Sequence, residues 1–456
     1  MPSFTQLPLS PALLQALDSL GYAQMTAIQA AALPPLLAGR DVIAQARTGS
    51  GKTAAFGLAL LARLRGEQRE LQALVLCPTR ELADQVSREL RALARFVPNI
   101  KLLTLCGGIS IRPQLASLSQ SPHIVVGTPG RIEDLLQRRA LDLSRLNTVM
   151  LDEADRMLDM GFVDAISRIL RQTPRERLTG LFSATYPAEI RALSESFQRE
   201  PVSASAETEL DPATIAQQFF AVERADKTAA VRALLVARQP AAALVFCNTR
   251  QDVLELGRQL TQSGIPASSL HGDRDQRERE EVLLQFANGS SRVLIATDVA
   301  ARGLDIKALP LVISYELPTD PEVHVHRIGR TGRAGASGEA LSLVTGRERQ
   351  RLEAIQALTG ITPAWTPLPQ PPGRQGLPPA AMCTVAIDAG RRDKLRPGDI
   401  QGAMTGAAGL AADQVGKIDI FPTRSYVAIA RALAAPALKK LRANPIKGRR
   451  LRVRIL

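Results

Sequence analysis

Three short stretches of this sequence carry residue types suited to phosphate chemistry, at spacings that let them act together. The first is Ala46-Arg47-Thr48-Gly49-Ser50-Gly51-Lys52-Thr53. Its glycines let successive backbone N–H groups converge on phosphate oxygens, and a helix starting at its end adds the positive pole of its dipole. Lys52 is spaced to reach β- and γ-phosphates, and Thr53 to help hold Mg²⁺. The second is Asp152-Glu153-Ala154-Asp155, which follows the apolar run Thr148-Val149-Met150-Leu151. An apolar strand ending in an acid is where phosphate-loop nucleotide hydrolases keep their metal carboxylate, which assigns Asp152. Glu153 beside it suits a base for the attacking water. The third, His326-Arg327-Ile328-Gly329-Arg330-Thr331-Gly332-Arg333, places three arginines and two glycines in eight residues. Arg330 and Arg333 suit a pair of cations brought to the γ-phosphate from a second domain, which makes hydrolysis conditional on the two domains meeting. A solvated acidic turn or a chance Gly-Lys-Thr explains one such stretch; the three together read as a nucleotide hydrolase.

The elements that must hold these residues follow a pattern. Strand candidates Asp41–Ala44, Leu74–Cys77, Ile124–Gly127 and Thr148–Leu151 alternate with amphipathic stretches, the signature of a parallel sheet with crossover helices. Each runs into polar residues, and ligands of open α/β sheets bind beyond the carboxyl ends of strands. A second series, Leu244–Cys247, Val293–Ala296 and Leu311–Ser314, repeats the arrangement. The reading is α/β: two tandem parallel-sheet domains, residues 1–205 and 206–362. Prolines at 363, 367, 369, 371, 372, 378 and 379 mark an extended linker over 363–379. Residues 380–456 form a small α+β domain, with strands at Thr384–Ile387 and Ser425–Ala430 and helices at Pro397–Leu410 and Leu433–Leu441.

Charge separates that last segment from the rest. Residues 378–456 hold 15 Lys and Arg against 5 Asp and Glu, so they carry +10 of the chain's net +13. A basic surface at one end points to a polyanion, bound through phosphate contacts and counterion release. The first basic residue is Arg40, so the cationic start of a signal peptide is missing, and no apolar run approaches membrane-spanning length. Cys77, Cys106, Cys247 and Cys383 show no metal-ligand spacing and read as buried thiols of a reducing, cytoplasmic protein.

On these residues the chain resembles the DEAD-box RNA helicases over roughly its first 360 positions. Gly21 to Gln29, with Phe4 upstream, is similar to the family's adenine-reading motif. The resemblance implies that Gln29 reads the adenine edge, with Tyr22 stacked on the ring and Thr26 in the same motif. Ala46 in the phosphate loop is the family's own variant, and Asp152 to Asp155 is the tetrapeptide that names it. Ser183-Ala184-Thr185 is similar to the segment coupling hydrolysis to strand separation, together with Asp155 and His326. The family's RNA contacts fall on Pro78, Thr79, Arg80, Gly107, Gly108, Thr128, Pro129, Gly130 and Arg131. In the second domain they fall on Asn248, Thr249, Arg250, Gln276, Arg279, Thr297, Asp298, Arg302 and Gly303, with Asp305 near the ATP ribose. Such Thr-, Gly- and Arg-rich positions suit gripping a sugar-phosphate backbone without reading bases. The implied architecture is two RecA-like domains using ATP and Mg²⁺ to pry short duplexes apart.

The tail resembles the DbpA branch of that family, through Arg391-Arg392-Asp393-Lys394-Leu395-Arg396, Gly416-Lys417-Ile418 and Ile446 to Arg454. The branch implies an RRM-like fold directing the enzyme to a hairpin of 23S ribosomal RNA in pre-50S particles, as a monomer with no membrane or protein partner implied. Arg391, Arg392, Lys394, Arg396, Arg424 and Tyr426 are its candidate RNA contacts. Tyr426 alone represents the aromatics that usually stack bases on such a sheet, so loops and the basic C-terminal strand are the favoured surface. A general RNA-remodelling helicase and an ATP-gated RNA clamp are the alternatives.

Overall fold

Short apolar runs, buried on both faces, become the strands of two parallel sheets, and the amphipathic stretches between them become crossover helices. The computed structural model describes residues 2–46, 49–205, 215–301, 309–332, 338–370, 373 and 375–456. These fall into two compact units that part between Ser205 and Ile215.

In the first unit, helices α1 (Pro11–Ser19) and α2 (Ala27–Leu37) precede β1 (Val42–Gln45) and α3 (Lys52–Arg63). There follow β2 (Ala73–Leu76), α4 (Arg80–Leu93), β3 (Leu102–Leu105), α5 (Arg112–Leu118), β4 (Ile124–Gly127) and α6 (Pro129–Gln137). Then come β5 (Thr148–Asp152), α7 (Ala154–Asp159), α8 (Val163–Leu170), β6 (Leu178–Ser183), α9 (Ala188–Phe197) and β7 (Val202–Ser205). The strands pair in the order β3-β4-β2-β5-β6-β1-β7, all parallel. Helices cover both faces, with Phe56, Leu58, Val75 and Phe182 on one side and Leu74, Ile132, Val149 and Ile169 on the other.

The second unit opens with β8 (Ile215–Ala221), α10 (Lys227–Arg238), β9 (Ala243–Cys247), α11 (Arg250–Gln262), β10 (Ala267–Leu270) and α12 (Gln276–Ala287). It continues through β11 (Val293–Thr297), α13 (Asp298–Ala301), β12 (Leu311–Ser314), α14 (Pro321–Ile328), β13 (Gly338–Val344) and α15 (Arg349–Thr359). The parallel order is β10-β11-β9-β12-β13-β8. The same unit holds the C-terminal module: β14 (Met382–Ile387), α16 (Pro397–Gly402), β15 (Val415–Ile420), β16 (Ser425–Ala430), α17 (Ala434–Ala443) and β17 (Val453–Ile455). Its antiparallel sheet, ordered β15-β16-β14-β17, packs Val385, Ile387, Val427 and Ile429 against Met404 and Leu441.

Two features differ from the sequence expectation. Among its described residues, the proline-rich connector is pinned to the sheet edge near its start. Phe219 donates its N–H to Ala364 O at 2.9 Å, and Thr366 donates to Phe219 O at 3.0 Å, beside the edge strand β8. Further on, Arg232 donates to the carbonyls of Gly373 and Gln375, and Leu377 is buried in the second sheet's core. The helix predicted over Pro397–Leu410 is split: α16 ends at Gly402 and a wide π turn occupies Ala403–Ala407. Glycines at 402, 406 and 409 weaken a regular helix there. No helix among the described residues is long and apolar enough to cross a membrane, and all four cysteines are buried and free.

Candidate functional site

The carboxyl edge of the first sheet divides into two halves. Beyond β1, β5 and β6 lie the phosphate-loop and acidic residues; beyond β2, β4 and β3 lie those expected to touch RNA.

In the first half, Gly49 and Gly51 take φ of 87° and 92°, the left-handed region where a side chain is strained. A Cβ on Gly51 would also stand 2.5 Å from Gln29 Nε2. α3 then begins at Lys52, whose Nζ donates to Ala46 O at 2.7 Å. Thr26 and Gln29 form a capping box on α2, worth on the order of 1 kcal/mol, with Gln29 Oε1 accepting from Thr26 N at 2.8 Å. The same two side chains reach the loop: Thr26 Oγ1 donates to Ser50 O and Gln29 Nε2 to Gly51 O. The adenine motif and the phosphate loop are therefore one hydrogen-bonded unit. Tyr22 meets Phe4 edge to face at 6.2 Å, with Phe4 buried beneath it.

The acidic tetrapeptide ends β5 and starts α7. Asp152 is buried, and burial pushes its carboxyl up to about 7 against the pull of Lys52. Its Oδ1 and the Ser50 Oγ have no hydrogen-bond partner among the described residues. Two orphaned buried oxygens beside a lysine and a helix start fit a metal-bound polyphosphate. Glu153 sits at φ 52° and pairs with Arg156 Nη1 at 2.6 Å. Asp155 Oδ2 accepts from Ala184 N, Thr185 N and Thr185 Oγ1 at 3.0, 3.0 and 3.2 Å. Asp155 N donates to Ser183 Oγ, while Ala46 N donates to Ser183 O. Ser183, Ala184 and Thr185 thus touch both the acidic tetrapeptide and the loop that ends in Lys52.

In the half expected to touch RNA, Thr79 caps α4 and Pro129 opens α6. Gly108 has φ 73°, and a Cβ there would stand 2.7 Å from Arg80 Nη1. Gly107 N donates to Thr128 Oγ1, and Arg131 Nη2 to Ile109 O, so Pro78–Arg80, Gly107–Gly108 and Thr128–Arg131 form one surface.

In the second unit, Arg327 is the hub that sequence reading missed. It is 1% exposed and forms two 2.7 Å bonds to the Asp298 carboxylate. It also donates to Asn248 Oδ1 and Glu316 O and lies over the Phe246 ring. Asn248 and Asp298, which follow β9 and β11, are thereby tied to α14, which carries His326. Arg330 is buried just past it, with its carbonyl accepting from Leu309 N. The signal was present: His326 to Arg333 holds three arginines, and only Arg330 and Arg333 received roles. Thr249 caps α11, and Arg250 pairs with Asp273. Gln276 and Arg279 begin α12. Arg47, Thr48, Arg302, Gly303, Asp305 and Arg333 lie outside the described residues.

The module's candidates separate. Arg391, Arg392, Lys394 and Arg396 are exposed on a turn held by Arg391 N and Arg392 N donating to Phe421 O and Pro422 O. The exposed turn through Lys447 and Arg449 packs beside it, with ion pairs to Asp399 and Asp393. Tyr426, expected among the RNA contacts, is 4% exposed instead, because the sheet face that carries it is covered by α12. Tyr426, Ala386 and Leu284 pack together, with Phe421 and Leu456 at the margin. Tyr426 Oη and Arg454 Nη2 both donate to Glu281 Oε1, at 3.1 and 3.2 Å. Asn288 and Ser290 bond Thr384 at the other end of the face. Arg424 is half-buried beside it.

Residues 26–193 match the DEAD/DEAH box helicase family, 226–335 the helicase conserved C-terminal domain and 384–455 the DbpA RNA binding domain. The chain is 51% identical, over the full length of both, to an ATP-dependent RNA helicase DbpA of Escherichia coli, and 35% identical over 99% of both chains to that of Bacillus subtilis. A DEAD-box ATP-dependent RNA helicase CshA of Bacillus subtilis is 44% identical over 78% of this chain and 72% of its own. Among solved structures, Saccharomyces cerevisiae Dbp5 bound to RNA and ADP BeF3 is similar, with 33% identity and a TM-score of 0.74 over 81% of this chain and 96% of that one.

Proposed function

Because the chain belongs to the DEAD-box ATP-dependent RNA helicases, of the DbpA type, we propose that it opens short duplexes of 23S ribosomal RNA during large-subunit assembly in the cytoplasm. The observation that carries the reading is the match of residues 384–455 to the DbpA RNA binding domain within relatives aligned from end to end. The helicase lobes present backbone-gripping residues with few aromatics, so choice of RNA falls to the module. Its sheet face is covered, which leaves the basic turns of Arg391–Arg396 and Lys447–Arg450 as the surface for a structured RNA's phosphates.

In the proposed hydrolysis, Gln29, Tyr22 and Phe4 take the adenine, and the loop from Ala46 to Thr53 takes the phosphates. Asp152 and Thr53 would hold Mg²⁺, which when bound neutralises phosphate charge. Glu153 accepts a proton from water as the water oxygen bonds the γ-phosphorus. The bond from that phosphorus to the bridging oxygen breaks, and its electron pair leaves on ADP. Arg330 and Arg333 stabilise the charge on the transferring group. Asp155 passes the change to Ala184 and Thr185 through the bonds it accepts from them.

The test is to crosslink the full-length protein to cellular RNA, sequence what is retained, and measure ATPase with ribosomal, messenger and no RNA. Enrichment of one large-subunit element, with matching stimulation, is the expected result. Equal capture and stimulation across RNAs would assign a general remodelling role. Tight ATP-dependent capture with negligible turnover would assign a clamp.

A further inference from the structure

Each carboxylate of the acidic tetrapeptide has a different neighbour. Asp152 Oδ1 is left open, and Asp155 is committed to the β6 end. Glu153 is held by Arg156, which the hydrolysis mechanism above does not use. The two side chains are each 4% exposed, and Nη1 lies 2.6 Å from Oε2. The pair is local: Arg156 is one helical turn along α7 from Glu153, and Glu153 enters that turn at φ 52°, a conformation residues with side chains seldom adopt. Arg156 N also donates to Asp155 Oδ1 at 3.0 Å, so the arginine is fixed to the motif at both its backbone and its guanidinium.

The surroundings give this pair a purpose beyond packing. Asp152 and Glu153 are adjacent and buried. Lys52 Nζ is engaged with Ala46 O, on the phosphate-loop side. A guanidinium in hydrogen-bond contact, on a residue whose backbone is itself tied to the motif, fixes where that carboxylate points.

We infer that Arg156 is a positioning residue for hydrolysis, holding the Glu153 carboxylate in one buried orientation through the 2.6 Å contact at Nη1 so that it stays aimed at the water. The inference rests on Glu153 being the base that activates water. Its test is steady-state ATPase of the full-length chain at saturating RNA, with nucleotide affinity and thermal unfolding measured in parallel. R156Q is expected to lower kcat by at least about tenfold, a fraction of a general base's usual contribution, with KM for ATP within about twofold. R156K, which keeps the charge, is expected to recover most of that loss. E153Q/R156Q is expected to be no slower than E153Q alone, because the arginine acts only through Glu153. Wild-type kcat in R156Q overturns the inference, as does a double variant slowed by the full product of the single effects. Should R156Q fail to fold, R156K and the uncharged double variant still decide the matter: kcat of R156K about tenfold or more below wild type, or a double variant slower than E153Q alone, overturns the inference. Normal turnover in E153Q instead removes the reading of Glu153 as base, whatever Arg156 does.

Discussion

The strand ends of the first lobe and the sheet face of the C-terminal module are both places where such folds bind ligands, and here they meet opposite fates. The first lobe's edge keeps buried polar atoms without partners, at Ser50 Oγ and Asp152 Oδ1, and surrounds them with committed ones. The module's sheet spends its one aromatic, Tyr426, on Leu284 and Glu281 of α12. One surface is prepared for a ligand from solution; the other has been taken by the protein itself. Fold alone therefore does not say where a ligand goes, since the same kind of surface serves for recognition or for domain docking.

The comparison breaks most visibly if the open surface is not the chemical one. Lys52→Ala removes the cation of the phosphate loop and should lower RNA-stimulated kcat/KM by at least about 100-fold, on the scale of losing one electrostatic stabiliser. The protein's melting temperature should change little, because the one hydrogen bond lost from Lys52 Nζ is to the Ala46 carbonyl and Asp152, already pushed up by burial, can take a proton when the cation goes. Robust ATPase in this variant would remove the nucleotide site from this edge. On the covered surface the pattern should invert. Tyr426→Ala leaves a hole under Leu284 and should cost about 3 kcal/mol of docking, as for other buried aromatics. Unfolding followed by calorimetry should show the module separating from its lobe, with RNA-free ATPase unchanged. If ATPase without RNA falls as far as it does in Lys52→Ala, the two surfaces are not separable.

How much of this was legible in the sequence follows the same division. Lys52 and Asp152 could be located at the strand ends because short spacings between a strand, a turn and a helix are encoded locally, whereas Asp155 was singled out only through the family resemblance. The strands Leu102–Leu105 and Ala267–Leu270 gave too weak a pattern to be singled out: they are four residues long, and Thr104, Ser268 and Ser269 interrupt the apolar run. Arg327 was visible as a residue but not as a hub, because Asn248, Asp298 and Glu316 come to it from three different strand ends. Tyr426 read correctly as a sheet-face aromatic. Its partner Glu281 lies 145 residues away on a helix whose other polar positions marked it for RNA. Contacts of that range leave no periodic trace.

Smaller changes sharpen the contrast between the module's two sides. Replacing Arg391 and Arg392 together by Ala touches the exposed turn and no docking contact. RNA affinity should fall about tenfold, and the slope of log Kd against log salt should shrink by roughly one to two, as for two lost phosphate contacts. Filter binding over a salt series measures both quantities. An unchanged slope would mean that the turn does not face phosphate.

The finest distinction concerns what holds the covered face, apolar contact or charge. Glu281 Oε1 accepts from Tyr426 and Arg454, and Glu281 also pairs with Arg277. Glu281→Gln keeps the side chain's shape and one acceptor oxygen, so the phenol retains a partner while Arg454 loses its counter-charge. Ion pairs of this partly exposed kind are worth little singly, and a hydrogen bond to a neutral amide is weaker than one to a carboxylate. The expected cost is about 1 kcal/mol, read as a small downward shift in the module's unfolding that grows less distinct in high salt. Because Leu284, Ala386 and Tyr426 remain in contact, the loss should stay well below that of Tyr426→Ala. Equal losses from the two variants would mean that the sheet face is held by the carboxylate, and that high salt alone should release it.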